Sequence, residues 1–281
     1  MKRSLSEFLL VAILMMLLGA SAPAAAQPQK AMSNPPTMSH WQARRYLQAV
    51  VKRQEVDLEL SFWTAPAQIY PENLTFAPDT IKLDVSNRHF VIDLKTLEED
   101  VSPSHKRNAR TFKSDSHQKL PPPLSQIEIF AGPKQTEADV DRDARLFATS
   151  LNFLRTFARE TNSPLRDFAE RAATWRAQAA KPPLPEEARG LRLAAEEAVR
   201  EKQPAEALNY YEMAVERDPT WPEGWFNAAL VAGELGDYDD AIEHMQNYLE
   251  LVPGAADAEK ARDQIVAWRY KAGQQRSTGD K

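Results

Sequence analysis

The stretch "LRLAAEEAVREKQPAEALNYYEMAVERDP" (Leu191–Pro219) is followed, after five residues, by "WFNAALVAGELGDYDDAIEHMQNYLELVP" (Trp225–Pro253), and the two run in register at a spacing of 34. Leu191, Ala194, Ala195, Ala198, Ala207, Tyr211 and Pro219 in the first meet Trp225, Ala228, Ala229, Ala232, Ala241, Met245 and Pro253 in the second. A bulky residue, a small pair three positions on and a further small residue recur, so each copy has a close-contact stripe at helical spacing. Paired alanines let two helices approach closely, and the bulky residue before them fills the gap between successive hairpins. Gly236 supplies a left-handed turn after the first helix of the second copy, and Asp237 stands where the next helix starts. Thr220 and Glu223 have capping-box spacing, with Pro222 in the first turn, where its missing N–H costs nothing.

This pattern resembles the tetratricopeptide repeat, a helix-turn-helix unit of 34 residues. The first unit, 185–219, departs from it at Lys202 and Gln203, where the inter-helix glycine is usual, and at Pro204, which replaces a tyrosine. In the second, 220–253, Tyr248 replaces a small residue late in the second helix. The wording of the whole region is similar to exported bacterial tetratricopeptide-repeat proteins, which implies a binding module without catalytic residues or cofactors. The resemblance places Trp225, Ala228 and Ala229 in the packing. It projects Phe226, Asn227 and Leu230 into a groove beside Arg189, Arg192, Val199 and Arg200, where they would hold a protein or peptide partner. Pairing of those arginines with Glu196, Glu223 or Glu234 is the competing expectation. Two units are fewer than the three that usually bury a solenoid core. The shortfall falls to a cap helix in 254–272, with an apolar stripe at Ala261, Ile265 and Trp268, and to a helix in 161–184 stacked on the opposite end. Self-association is a further way to cover the ends, and 273–281 reads as a disordered tail.

Ahead of the repeats the periodicity changes. Residues 39–160 read as an α+β module: a helix at "SHWQARRYLQAVVKRQ" with Ser39 as N-cap, then strands at "VDLELSFW", "TIKLDV", "HFVIDL" and "QIEIFAG", and a further short strand within "YPENLTF". The polar span from Glu98 to Leu124 is long for a loop and is either mobile or contains a strand at "ARTFK". The helix "TEADVDRDARLFATSLNFLRTFARE" closes the module, its stripe of Val140, Ala144, Phe147, Leu151, Leu154 and Ala158 covering the sheet. The layout resembles pleckstrin-homology-like domains. That likeness implies contact with anionic lipid through the basic run Lys106, Arg107, Arg110 and Lys113, which defines a second function class, a membrane-surface module. A further helix is expected from Ser163 and Pro164 to Lys181, with the stripe Leu165, Phe168, Ala172, Trp175 and Ala179.

The chain begins "MKRSLSEFLLVAILMMLLGASAPAAAQ", with Lys2 and Arg3 before an apolar run from Phe8 to Leu18 and an A-x-A pattern at Ala24 and Ala26. These are the parts of a signal peptide, 1–26, followed by a disordered lead-in, 27–38, and they predict export to the periplasm or beyond. The chain has 281 residues and no cysteine, so its core holds by burial alone. A net charge of −5 over the full chain, about −6 without the leader, disfavours nucleic-acid binding. The five histidines have no metal-ligand spacing, and no nucleophile elbow or phosphate-binding glycine loop occurs. The sequence therefore predicts a non-enzymatic adaptor with no metal and no cofactor.

Overall fold

The structure, a computed structural model, describes residues 38–52, 56–62, 73–77, 79–85, 88–95, 103–106, 109–113, 124–131, 136–159, 165 and 167–279. The leader and most of the lead-in lie outside these. Among the described residues no helix is long and apolar enough to cross a membrane.

The first helix, α1 (His40–Lys52), starts as its sequence dictates: the Ser39 hydroxyl accepts a hydrogen bond from the Gln42 N–H at 2.9 Å. Seven strands follow among the described residues: β1 (Val56–Phe62), β2 (Asn73–Ala77), β3 (Thr80–Val85), β4 (Arg88–Asp93), β5 (Pro103–Lys106), β6 (Ala109–Lys113) and β7 (Leu124–Ala131). All pairings are antiparallel, in the orders β1-β7-β6-β5 and β2-β3-β4. The span read as a long polar loop holds the β5–β6 hairpin, with "ARTFK" as β6. The hairpin was obscured because "PSHK" carries no β-branched or large apolar residue. Helix α2 (Glu137–Arg159) packs against β5, β6 and β7 and against α1. Ala144, Phe147, Leu151, Leu154 and Ala158 of its predicted stripe are buried, while the side chain of Val140 lies outside the described residues.

Helix α3 (Phe168–Ala177) begins four residues after Pro164, with Asp167 in the N-cap position, so the predicted proline-led start is not the helix start. Lys181 ends it: its ammonium donates to the carbonyls of Trp175 at 2.6 Å, Arg176 at 3.2 Å and Gln178 at 2.9 Å, covering acceptors that the last turn leaves open.

The repeat region forms two hairpins, α4 (Glu186–Arg200) with α5 (Pro204–Arg217), and α6 (Pro222–Leu235) with α7 (Tyr238–Leu251). Helix α8 (Ala258–Gly279) packs on α7. It runs through most of the segment expected as a disordered tail, because Ala272 continues the buried stripe of Ala261, Ile265 and Trp268. Trp225, Ala228, Ala229, Ala232 and Ala241 are fully buried, as the 34-residue register requires. The Trp225 indole N–H donates to the Pro219 carbonyl at 2.7 Å, so the one polar atom of this ring is satisfied in the core.

The turns inside the two hairpins share a geometry. Gly236 has φ 84°, and Lys202, 34 residues earlier, has φ 58°, so a lysine holds the left-handed turn where the second unit has glycine. Two expected caps do not form. The Thr220 hydroxyl donates to Asp218 Oδ1 at 2.6 Å and leaves Trp221 in the N-cap position, and Asp237 occupies its N-cap without a side-chain cap bond, its carboxylate 3.7 Å from Arg45.

The expectation that the helix of 161–184 stacks on the open end of the array is also corrected. Helix α3 packs on α7, with Phe168 edge-on to Trp225 at 5.5 Å and Arg176 bonded to Glu250. The helix that sequence reasoning gave to the sheet alone, α1, makes the other large contribution. It lies between α2 and the second helices of the hairpins, and Trp41, Ala43, Leu47 and Val50 are all buried. The two repeats are thus flanked by α1 and α3 on the second-helix side, and α8 packs on α7 beyond the last unit.

Candidate functional site

The repeat region has two faces, and the chain treats them differently. Helices α5 and α7 carry Glu212, Glu216, Asp240, Glu243 and His244 on the side that meets α1. Glu212 is fully buried and the most heavily bonded of these. It accepts two hydrogen bonds from the Arg45 guanidinium at 2.7 and 2.8 Å, one from the Ser39 hydroxyl at 2.5 Å, and lies 3.2 Å from His244 Nε2. Arg45 also donates to Asp240 Oδ2 at 2.7 Å, so one guanidinium bridges the second helices of both hairpins. Around this centre the Ser39 N–H donates to Asn209 at 2.9 Å, the His40 N–H to Glu216 at 2.5 Å, the Trp41 indole to Glu243 at 3.1 Å, and Arg44 to Glu243 at 3.2 Å. Trp41 completes the contact edge-on to Trp225 at 5.5 Å and to His244 at 4.8 Å.

Burial pushes the Glu212 carboxyl up, but Arg45 and the His244 hydrogen bond outweigh it and hold the group down at about 2. Burial likewise opposes the charge on Arg45, and the paired carboxylates of Glu212 and Asp240 overcome it and raise the guanidinium. At Asp240 burial wins over the nearby arginines and the carboxyl is raised. At Glu243 burial is outweighed by Arg44 and the two histidines, and the carboxyl is lowered. The cluster is a charge-paired joint, and among the described residues no group of three or more histidines and acids is arranged to hold a metal ion.

The other face belongs to the first helices, α4 and α6, and holds the residues the sequence assigned to a partner groove. Arg189 is exposed and makes no ion pair among the described residues. Arg192 bonds Glu196 at 2.8 Å one turn along the helix, and Arg200 pairs with Glu197, so two of the three arginines are partly neutralised on their own helix. Leu193, at 53%, is one of the most exposed large apolar side chains of the repeats. On α6, Phe226 is half-buried with its ring 5.1 Å from that of Tyr248, and Asn227 and Leu230 are also half-buried. Tyr248 fits where a small residue is usual because its hydroxyl leaves the interior, donating to Asp257 at 2.6 Å.

The basic run is divided between elements: Lys106 ends β5, Arg110 and Lys113 lie on β6, and Arg107 lies outside the described residues. The buried joint itself went unforeseen. Its components are separated by 167 to 202 residues, and each charged one resembles a solvated helix face when taken alone. One signal existed: Glu212 falls a turn after Leu208 and Glu216 follows Val215, which places both acids beside the buried stripe of α5.

A family model for the tetratricopeptide repeat matches residues 196–266, from the second half of α4 into α8. No curated protein matches the chain. The matched region is the helical-hairpin array, a fold that in general serves as a non-catalytic scaffold for protein partners.

Proposed function

We propose that this protein is an exported, non-enzymatic adaptor that holds an extended or helical segment of a partner protein on the first-helix face of its repeats. The observation that carries the proposal is the unequal use of the two faces. Helices α1 and α3 both pack on the second-helix side, against α5 and α7, while the first-helix side keeps Leu193, Phe226 and Leu230 at least partly exposed between polar groups. Apolar anchors beside arginines and an amide suit a peptide whose side chains need burial and whose backbone or carboxylate needs a donor. The match of the array to the tetratricopeptide repeat supports a protein ligand, and Lys2 to Ala26 support export.

The test is a crosslinking pull-down from the exported fraction, comparing the native chain with the double variant Arg192→Glu, Asn227→Ala. Loss of a specific protein only in the variant is the expected result. Retention of every interactor by a folded variant refutes the groove.

A further inference from the structure

The buried joint contains a group that the adaptor function does not use. His40 is only 8% exposed, and its Nδ1 is buried without a hydrogen-bond partner. Its ring stacks on Phe157 of α2 at 4.6 Å and 26°, and stands edge-on to Trp41 at 5.5 Å. An imidazole so placed is held neutral, because a proton on Nδ1 of the charged ring would be buried without an acceptor.

We propose that the docking of α1 onto the second-helix face is an acid-sensitive joint, closed at neutral pH by neutral His40 and opened on acidification as proton uptake by that ring favours the undocked helix. The groups around the ring are fixed by the elements packed there. Helix α1 brings Arg44 and Arg45, α5 brings Glu212 and Glu216, α7 brings Asp240, Glu243 and His244, and α2 brings the uncharged ring of Phe157. Burial, reinforced by Arg44, lowers the docked imidazole to about 3 against the carboxylates of Glu243 and Glu212. A group with a depressed native value contributes stability that is full above its ordinary range and lost as pH falls, so the relevant window runs downward from about 6.5. Glu212 stays ionised through most of that window, since its carboxyl is held at about 2. Asp240 acts in the opposite sense, because a raised carboxyl favours the docked state more as pH falls. Opening would uncover Trp225 and the acidic side of α5 and α7, giving the repeats a second, acidic face that is closed at neutral pH.

The experiment is hydrogen exchange of the α1 amides in the full chain, corrected for intrinsic rates, at pH 7.5 and pH 5.0. With the docked ring at about 3 and the free ring at 6.5, linkage predicts a fall in α1 protection of about thirty-fold. His40→Phe keeps the stack on Phe157 and removes the titration, so its protection should not fall over the same interval. Constant protection in the native chain, or an equal fall in His40→Phe, overturns the proposal. NMR titration of the His40 ring in the native chain gives an independent measure should the variant fail to fold. A midpoint well below the ordinary value supports the joint, and a midpoint near 6.5 with α1 still docked overturns it.

Discussion

Arg45→Met is the substitution that most directly probes how α1 is held. The guanidinium has 17% side-chain exposure, and the carboxylates it serves have 0% at Glu212 and 11% at Asp240. Removing it leaves two acids facing each other in the interior with one cation gone. Breaking a buried pair in this way costs about 3–5 kcal/mol, and the doubled acid puts this case at the upper end. Glu212→Gln should cost less, about 1.5–3 kcal/mol, since Arg45 keeps Asp240 and the amide oxygen still accepts from Ser39. Urea unfolding at pH 7, followed by circular dichroism and tryptophan fluorescence, measures both. The triple variant Arg45→Met, Glu212→Leu, Asp240→Asn should recover most of the loss, because replacing a whole buried charge set is often near neutral. The Arg45→Met deficit should also shrink in acid as the stranded carboxylates take up protons. In the native chain the Glu212 contribution is present above its ordinary range, about 4.5, and is lost as pH falls toward 2. A deficit below about 1 kcal/mol, the size expected of an exposed ion pair, would refute a buried joint.

Two further substitutions test local geometry. Lys202→Gly should stabilise by about 1 kcal/mol, read as a rise in the urea midpoint with unchanged slope, because a side chain at φ 58° is strained where glycine is not. Gly233→Ala should cost about 1–3 kcal/mol and loosen α8, since a Cβ there would lie 2.6 Å from the Trp268 indole. Limited proteolysis within 258–279 should detect the change, and unaltered resistance would contradict the close approach of α6 and α8.

The parts of this fold legible in the sequence are those whose cause is local. The 34-residue register located α4 to α7 because paired alanines and a bulky filler must recur wherever identical hairpins stack, and Ser39 marked the start of α1 because capping is decided within three residues. The β5–β6 hairpin was legible only in part, since "ARTFK" has the strand-forming pair Thr111 and Phe112 and "PSHK" has no such residue. The caps at Thr220 and Asp237 failed for a tertiary reason: each side chain found a different partner, Asp218 in one case and Arg45 in the other. The joint around Glu212 was hidden because burial changes the meaning of a charged residue. Nothing within ten residues of Glu212 announces that Arg45 will cover it.

The same separation constrains how the molecule is made. Ser39 and Glu212 lie 173 positions apart, so α1 leaves the ribosome long before the helices that receive its polar side have been synthesised. Until then Trp41 lacks Trp225, His244 and Glu243, and Arg45 has no carboxylate from α5 or α7 to serve. Closure over such a distance is slow compared with hairpin formation, so the repeats, whose contacts are local, should reach their native form before α1 docks. The last folding event is then the union of the chain's two halves, with Trp41 among the surfaces open to aggregation until it is complete.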